Sequence, residues 1–95
     1  MKIVVSPKAI ADLDRLRDFL LEKNAGAADR AASALIDAIN SLKNFPEKGR
    51  PAAVQNLREL VVPFGKDAYI VRYAYRAADG SVVVVRVWHG REHRE

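Results

Sequence analysis

Residues 82–89 read Val-Val-Val-Val-Arg-Val-Trp-His, an apolar and largely β-branched run with one arginine inside it, and Gly90-Arg91 follow directly. Such a run is a strand. Arginine is rarely buried without a partner, so Arg86 either faces water or meets an anion. A second β-rich run, Ala68 to Arg76, lies just upstream and carries Arg72 and Arg76. The two runs predict a hairpin with an arginine-studded face.

Strand alternation sorts the side chains of that hairpin. Tyr69, Val71, Tyr73 and Tyr75 share one side, with Ile70, Arg72, Ala74 and Arg76 on the other. In the last strand Val83, Val85, Val87 and His89 oppose Val82, Val84, Arg86 and Trp88. A five-residue loop from Ala77 to Ser81, with Arg76 opposite Val82, places Arg72 opposite Arg86. Like charges directly opposite one another are destabilising, so this face is poised to accept carboxylates or phosphates. The plainer alternative is pairing within the chain, for example with Glu59 on the neighbouring strand. Trp88, on the arginine side, is expected to be partly exposed and able to anchor a partner.

The first half of the chain switches to helical periodicity. Ile3 to Val5 form a short strand, and Ser6-Pro7 reads as an N-cap with proline at the first helical position. Ile10, Leu13, Leu16 and Leu20 recur at helical spacing, widened by Phe19 and Leu21, while Asp12, Arg15, Asp18 and Glu22 fall largely opposite. Asn24-Ala25-Gly26 is expected to close this helix with a residue that tolerates positive φ. Ala28, Ala31, Ala32, Leu35, Ile36, Ile39 and Leu42 mark a second helix from about Ala27 to Lys43. Neither helix is stable alone in water, so the two pack as an antiparallel hairpin.

Phe45 to Pro51 is a turn-rich connector with two prolines and a glycine. Leu57 to Val62 resumes as a strand, and residues 63–67 turn the chain into the arginine-bearing hairpin. The order is β-α-α-β-β-β. This is an α+β fold in which a helical hairpin packs on one face of a small, mainly antiparallel sheet. With 95 residues the chain is a single domain spanning 1–95.

Sixteen Lys and Arg against twelve Asp and Glu leave a net charge of +4, and ten of the sixteen are Arg. That balance favours an acidic partner. The absence of cysteine excludes disulfides and thiol chemistry. His89 and His93 stand four apart without helical context, so no metal site is expected, and no glycine-rich phosphate loop is present. No apolar run reaches the length of a signal segment or a membrane span. The expectation is a cytoplasmic protein that needs no cofactor.

Several segments carry a resemblance in their order and spacing. They are Ser6-Pro-Lys-Ala with the charged helix that follows, Asn40-Ser-Leu-Lys-Asn-Phe-Pro46 with Gly49-Arg50-Pro51, Leu57-Arg-Glu-Leu60, Tyr69-Ile-Val-Arg-Tyr73, and Val84-Val-Arg-Val-Trp-His-Gly-Arg91. On these the chain resembles the ParE/RelE superfamily of toxins from type II toxin-antitoxin systems, over nearly its whole length. The His-Gly-Arg ending and the long helix pair are closer to ParE. Glu92 departs from the second basic residue common in the His-Gly-Arg-Arg form.

The resemblance implies two mechanisms. ParE-like members poison DNA gyrase and are associated with plasmid stabilisation, whereas RelE-like members cut messenger RNA on the ribosome. In the second type Arg58, Arg72, Arg86 and His89 would bind the scissile phosphate and move protons. This chain has no tyrosine after Tyr75, and Lys66 is its only lysine beyond Lys48, so it lacks much of the RelE set. The implied partner is a ParD-like antitoxin whose acidic C-terminal tail folds on the toxin against Arg72, Arg76, Arg86, Trp88, His89 and Arg91. Exposed leucines or Phe19 would help to seat its helix in a groove. A third reading is a toxin-like scaffold that has lost activity and retains antitoxin binding.

Overall fold

The computed structural model describes residues 1–92. Strand β1 (Lys2–Val5) leads into helix α1 (Pro7–Lys23) and helix α2 (Ala25–Ser41). Strands β2 (Arg50–Pro51), β3 (Arg58–Phe64), β4 (Asp67–Arg76) and β5 (Ser81–His89) complete the chain. The five strands form one sheet in the order β1-β5-β4-β3-β2, antiparallel except where β1 runs parallel to β5. The two-residue strand β2 lies within the connector expected to be irregular. No described helix is long and apolar enough to cross a membrane.

Local chemistry sets the helix ends. Ser6 caps α1 by accepting the Ala9 N–H at 3.2 Å, with Pro7 next in the first turn. No residue of Asn24-Ala25-Gly26 takes the positive φ expected at the end of α1, and Asn24 makes the junction instead. Its backbone is extended, its N–H reaches the Leu20 carbonyl to end α1, and its side chain accepts the Ala27 N–H to begin α2. A single residue thus serves both caps, and Gly26 lies inside α2. Helix α2 buries Ala28, Ala31, Leu35 and Ile39, and the alanines bring it close to α1. Helix α1 departs further from its predicted stripe. Ala9, Asp12 and Leu16 are buried, while Ile10, Phe19 and Leu21 are exposed.

The helical hairpin covers the sheet face that carries Tyr69, Val71, Tyr73, Val82, Val84 and Val87, and these residues form the core with Leu16, Leu35, Ile39, Leu42 and Leu60. Buried Tyr73 fastens the connector to that core. Its hydroxyl donates to the Pro46 carbonyl and accepts the Gly49 N–H, both at 2.8 Å. A Cβ on Gly49 would stand 2.7 Å from the same hydroxyl, so the approach requires glycine.

The β4–β5 register differs from the predicted one. Arg72 does lie opposite Arg86, but Tyr73 pairs with Val84 and Arg76 with Ser81. Val85 is therefore the extra residue of a β-bulge. The bulge resets the alternation, so Val82 and Val84 turn to the helices while Arg86 and Trp88 remain on the outer face. Uniform alternation across residues 82–88 assigned those four to one side, and the bulge overturns that assignment.

Candidate functional site

Two constellations of polar side chains occupy opposite faces of the sheet. On the outer face, Glu59 lies opposite Arg72, and Arg72 opposite Arg86. Arg72 is buried and donates from Nε and Nη2 to Glu59 Oε2 at 3.2 and 2.8 Å. Arg50 adds a longer contact of 3.7 Å to the other Glu59 oxygen. Trp88 is also buried, at 3 % exposure, and the guanidinium carbons of Arg72 and Arg86 lie 4.6 and 5.2 Å from its ring centroid. Arg72 is thus taken up by an internal ion pair, and Trp88 is a packing residue rather than a partly exposed anchor.

Arg86 finds its anion on a helix. Beyond Val84, β1 no longer covers the edge of β5, and α1 runs along that open edge. Ser6 Oγ donates to the Val85 carbonyl at 3.2 Å. Nearly two turns further on, Asp12 Oδ2 accepts from Arg86 Nε and from the Val87 N–H, each at 2.8 Å. Asp12 Oδ1 accepts from Arg15 Nη1 at 2.7 Å and from Arg86 Nη2 at 3.2 Å. Burial pushes the Asp12 carboxyl up, but the bonds from Arg86, Val87 and Arg15 outweigh it and hold the pKa below the ordinary carboxylate value. The like-charge pair Arg72–Arg86 is tolerated because each arginine carries its own carboxylate.

On the helix face, the His-Gly-Arg segment closes the end of β5. His89 lies opposite Tyr69, edge-on to its ring at 5.5 Å between centroids. Its Nδ1 accepts the Arg91 N–H at 3.2 Å, and its Nε2 stands 3.7 Å from Asp67. Gly90 donates to the Ala68 carbonyl at 2.7 Å, and a Cβ there would come within 3.0 Å of that oxygen. Arg91 Nε bonds Asp67 Oδ1 at 2.9 Å. Glu92 Oε1 accepts the His89 N–H at 2.8 Å and Arg15 Nη2 at 3.1 Å. These groups rim a groove of about 580 Å³ floored by Leu16, Phe19, Leu20, Phe64 and Tyr69. Of these, Phe19 is 58 % exposed.

Arg58 and Arg76 stand apart from both sets. Arg58 shares the helix face, opposite Tyr73, and donates to the Glu47 and Gly49 carbonyls at 3.2 and 2.7 Å. Four residues of β4 separate its level from that of His89, a span of about 13 Å at ordinary strand rise. Arg76 is exposed at the far end of β4. Of the candidate residues, the fold brings together Arg72, Arg86 and Trp88 on one face, and His89 with Arg91 on the other. Among the described residues no three His, Cys, Asp or Glu side chains are grouped to hold a metal; His93 lies outside them.

Sequence reasoning missed Asp12, Asp67 and Glu92, the carboxylates that organise these sites. Asp12 had one available signal, a carboxylate within a turn of the apolar stripe of α1. The other two have no local signature.

The sequence matches the family model described as ParE toxin of type II toxin-antitoxin system, parDE, over residues 3–94. Toxin RelE1 of Caulobacter vibrioides is 40 % identical over 92 residues, covering 97 % of this chain and 96 % of the relative. Toxin RelE2 of the same organism is 41 % identical over 88 residues, 93 % of each chain. Among solved structures, the chromosomal ParDE TA system from P. aeruginosa superposes with a TM-score of 0.73 over 94 % of this chain and 95 % of that one. At 18 % identity that likeness concerns the fold.

Proposed function

The chain belongs to the ParE family of type II toxin-antitoxin toxins, and on that premise we propose that it arrests growth by binding DNA gyrase, held silent by a cognate antitoxin. The observation that carries the choice of target is the division of the RNA-cutting set by the sheet. Arg72 and Arg86 lie on the outer face and His89 and Arg58 on the helix face. General acid–base cleavage needs its proton carrier and its phosphate-binding cations within hydrogen-bond reach of one reacting group, and these four side chains surround no common point. Arg72 and Arg58 are moreover engaged by Glu59 and by backbone carbonyls.

Antitoxin binding has different requirements, which the groove beside Phe19 meets. It offers an apolar lining with Phe19 exposed and cations on its rim, on a protein of net charge +4. An acidic, amphipathic segment that folds on contact suits such a surface. Arg91 remains exposed for rim contacts, whereas Arg76 lies at the far end of β4, away from the groove, and Arg72 and Trp88 are buried.

Expression of this chain alone in bacteria, followed by DNA supercoiling assays and mapping of ribosome-bound mRNA ends, tests the proposal. The expected result is growth arrest with accumulated DNA breaks and intact mRNA, retained in His89→Ala. Codon-positioned mRNA cuts that disappear in His89→Ala would transfer the protein to the ribonuclease class. Full growth would leave an inactive, antitoxin-binding scaffold.

A further inference from the structure

The two carboxylates on the groove rim occupy the positions that an acidic partner would need. Glu92 sits on Arg15 and Asp67 on Arg91, at 3.1 and 2.9 Å. We infer that Glu92 and Asp67 are built-in placeholders for the carboxylates of an acidic amphipathic helix, which displaces them as it settles beside Phe19. The inference rests on the proposal that an antitoxin segment takes this groove, and it names what that segment has to compete with.

The ion pairs are inexpensive to displace, the added cost at Glu92 being the bond it accepts from the His89 N–H at 2.8 Å. All four side chains are partly open to water, Glu92 at 34 %, Arg15 at 44 %, Asp67 at 33 % and Arg91 at 75 %, and exposed ion pairs of this kind contribute little. Arg15 is also secured at its other nitrogen by buried Asp12, at 2.7 Å. When Glu92 leaves, Arg15 therefore stays aimed at the rim instead of collapsing into solvent, so the incoming carboxylate meets an ordered cation. The pairing also keeps the rim electrically quiet while the groove is empty. A helix of matching apolar shape without acidic flanks gains nothing from the exchange, so the placeholders act as a filter.

The test uses the full chain and two synthetic amphipathic peptides of roughly 18 residues, about five helical turns. They share one apolar stripe, and one carries Glu on its flanks, the other Lys. Glu92→Gln and Asp67→Asn remove charge while keeping an acceptor oxygen for the His89 N–H and for Arg91. Asp37→Asn, an exposed carboxylate on α2 away from the groove, controls for overall charge. Calorimetric titration should show each rim variant binding the Glu peptide about threefold tighter than wild type, and the double variant about tenfold, with Asp37→Asn near wild type. Phe19→Ser should weaken binding in every background. If Phe19→Ser weakens binding but the rim variants behave like Asp37→Asn, the placeholders are refuted and the groove stands. If Phe19→Ser binds as wild type does, or the Lys peptide binds more tightly, the groove reading itself fails.

Discussion

Asp12 accepts four hydrogen bonds from three residues with its two oxygens while only 4 % of its side chain is exposed. Its removal takes the Asp12 carboxylate away from Arg86 and leaves the buried Val87 N–H without that acceptor. Asp12→Ala is expected to cost about 3 kcal/mol in urea unfolding. The pH dependence has a definite sign. The Asp12 pKa is depressed in the folded state, so its stabilisation is complete above the unfolded carboxylate value of about 3.9 and is lost as pH falls through the folded value. Thermal melts between about pH 5 and pH 2 should therefore fall less steeply in Asp12→Asn than in wild type. Arg72 and Glu59 allow a cleaner dissection. Arg72→Met removes both short hydrogen bonds from buried Glu59, which keeps the longer Arg50 contact, and is expected to cost about 3 kcal/mol, whereas adding Glu59→Leu should restore most of the loss. No recovery in the double variant would mean that the pair does more than neutralise itself.

The two helices turn on Asn24, whose side chain opens α2 directly after its backbone ends α1. Asn24→Ala should destabilise the protein by about 1 kcal/mol through loss of the Ala27 cap, with Asn24→Ser recovering most of it. Both are read by chemical denaturation. The β5 bulge plays the corresponding part in the sheet. One unpaired residue, Val85, lets Val82 and Val84 face the helices while Arg86 keeps company with Arg72. Element types and their order could be inferred from periodicity, because helical and strand spacing are properties of each segment alone. The bulge could not, since four consecutive valines present the same side chain at every candidate register.

The sheet is a partition between the arginine face and the groove, and α1 touches both. Arg15 bonds Asp12, partner of Arg86, and also Glu92 on the groove rim. The central strands β4 and β5 carry the fully buried Tyr69, Tyr73, Val71, Val82, Val84 and Val87. Amide exchange should accordingly be slowest at Val71, Tyr73 and Val84, near the global unfolding limit, and fastest near Gly65 and Arg91. Protection at Arg91 equal to that of Val84 would contradict a rim held by exposed ion pairs.

From the residue pattern alone follow the α+β class and the helical hairpin, because burial periodicity is written locally. Glu59 was legible as a candidate partner from its place in the preceding strand, whereas Arg72 meets Arg86 only because the Val85 bulge offsets a loop one residue shorter than expected. Tertiary structure decided which carboxylate meets Arg86, whether Trp88 is exposed, and which face His89 takes. Those outcomes depend on a bulge and on a helix passing an open strand edge, where groups more than 70 residues apart come within 3 Å.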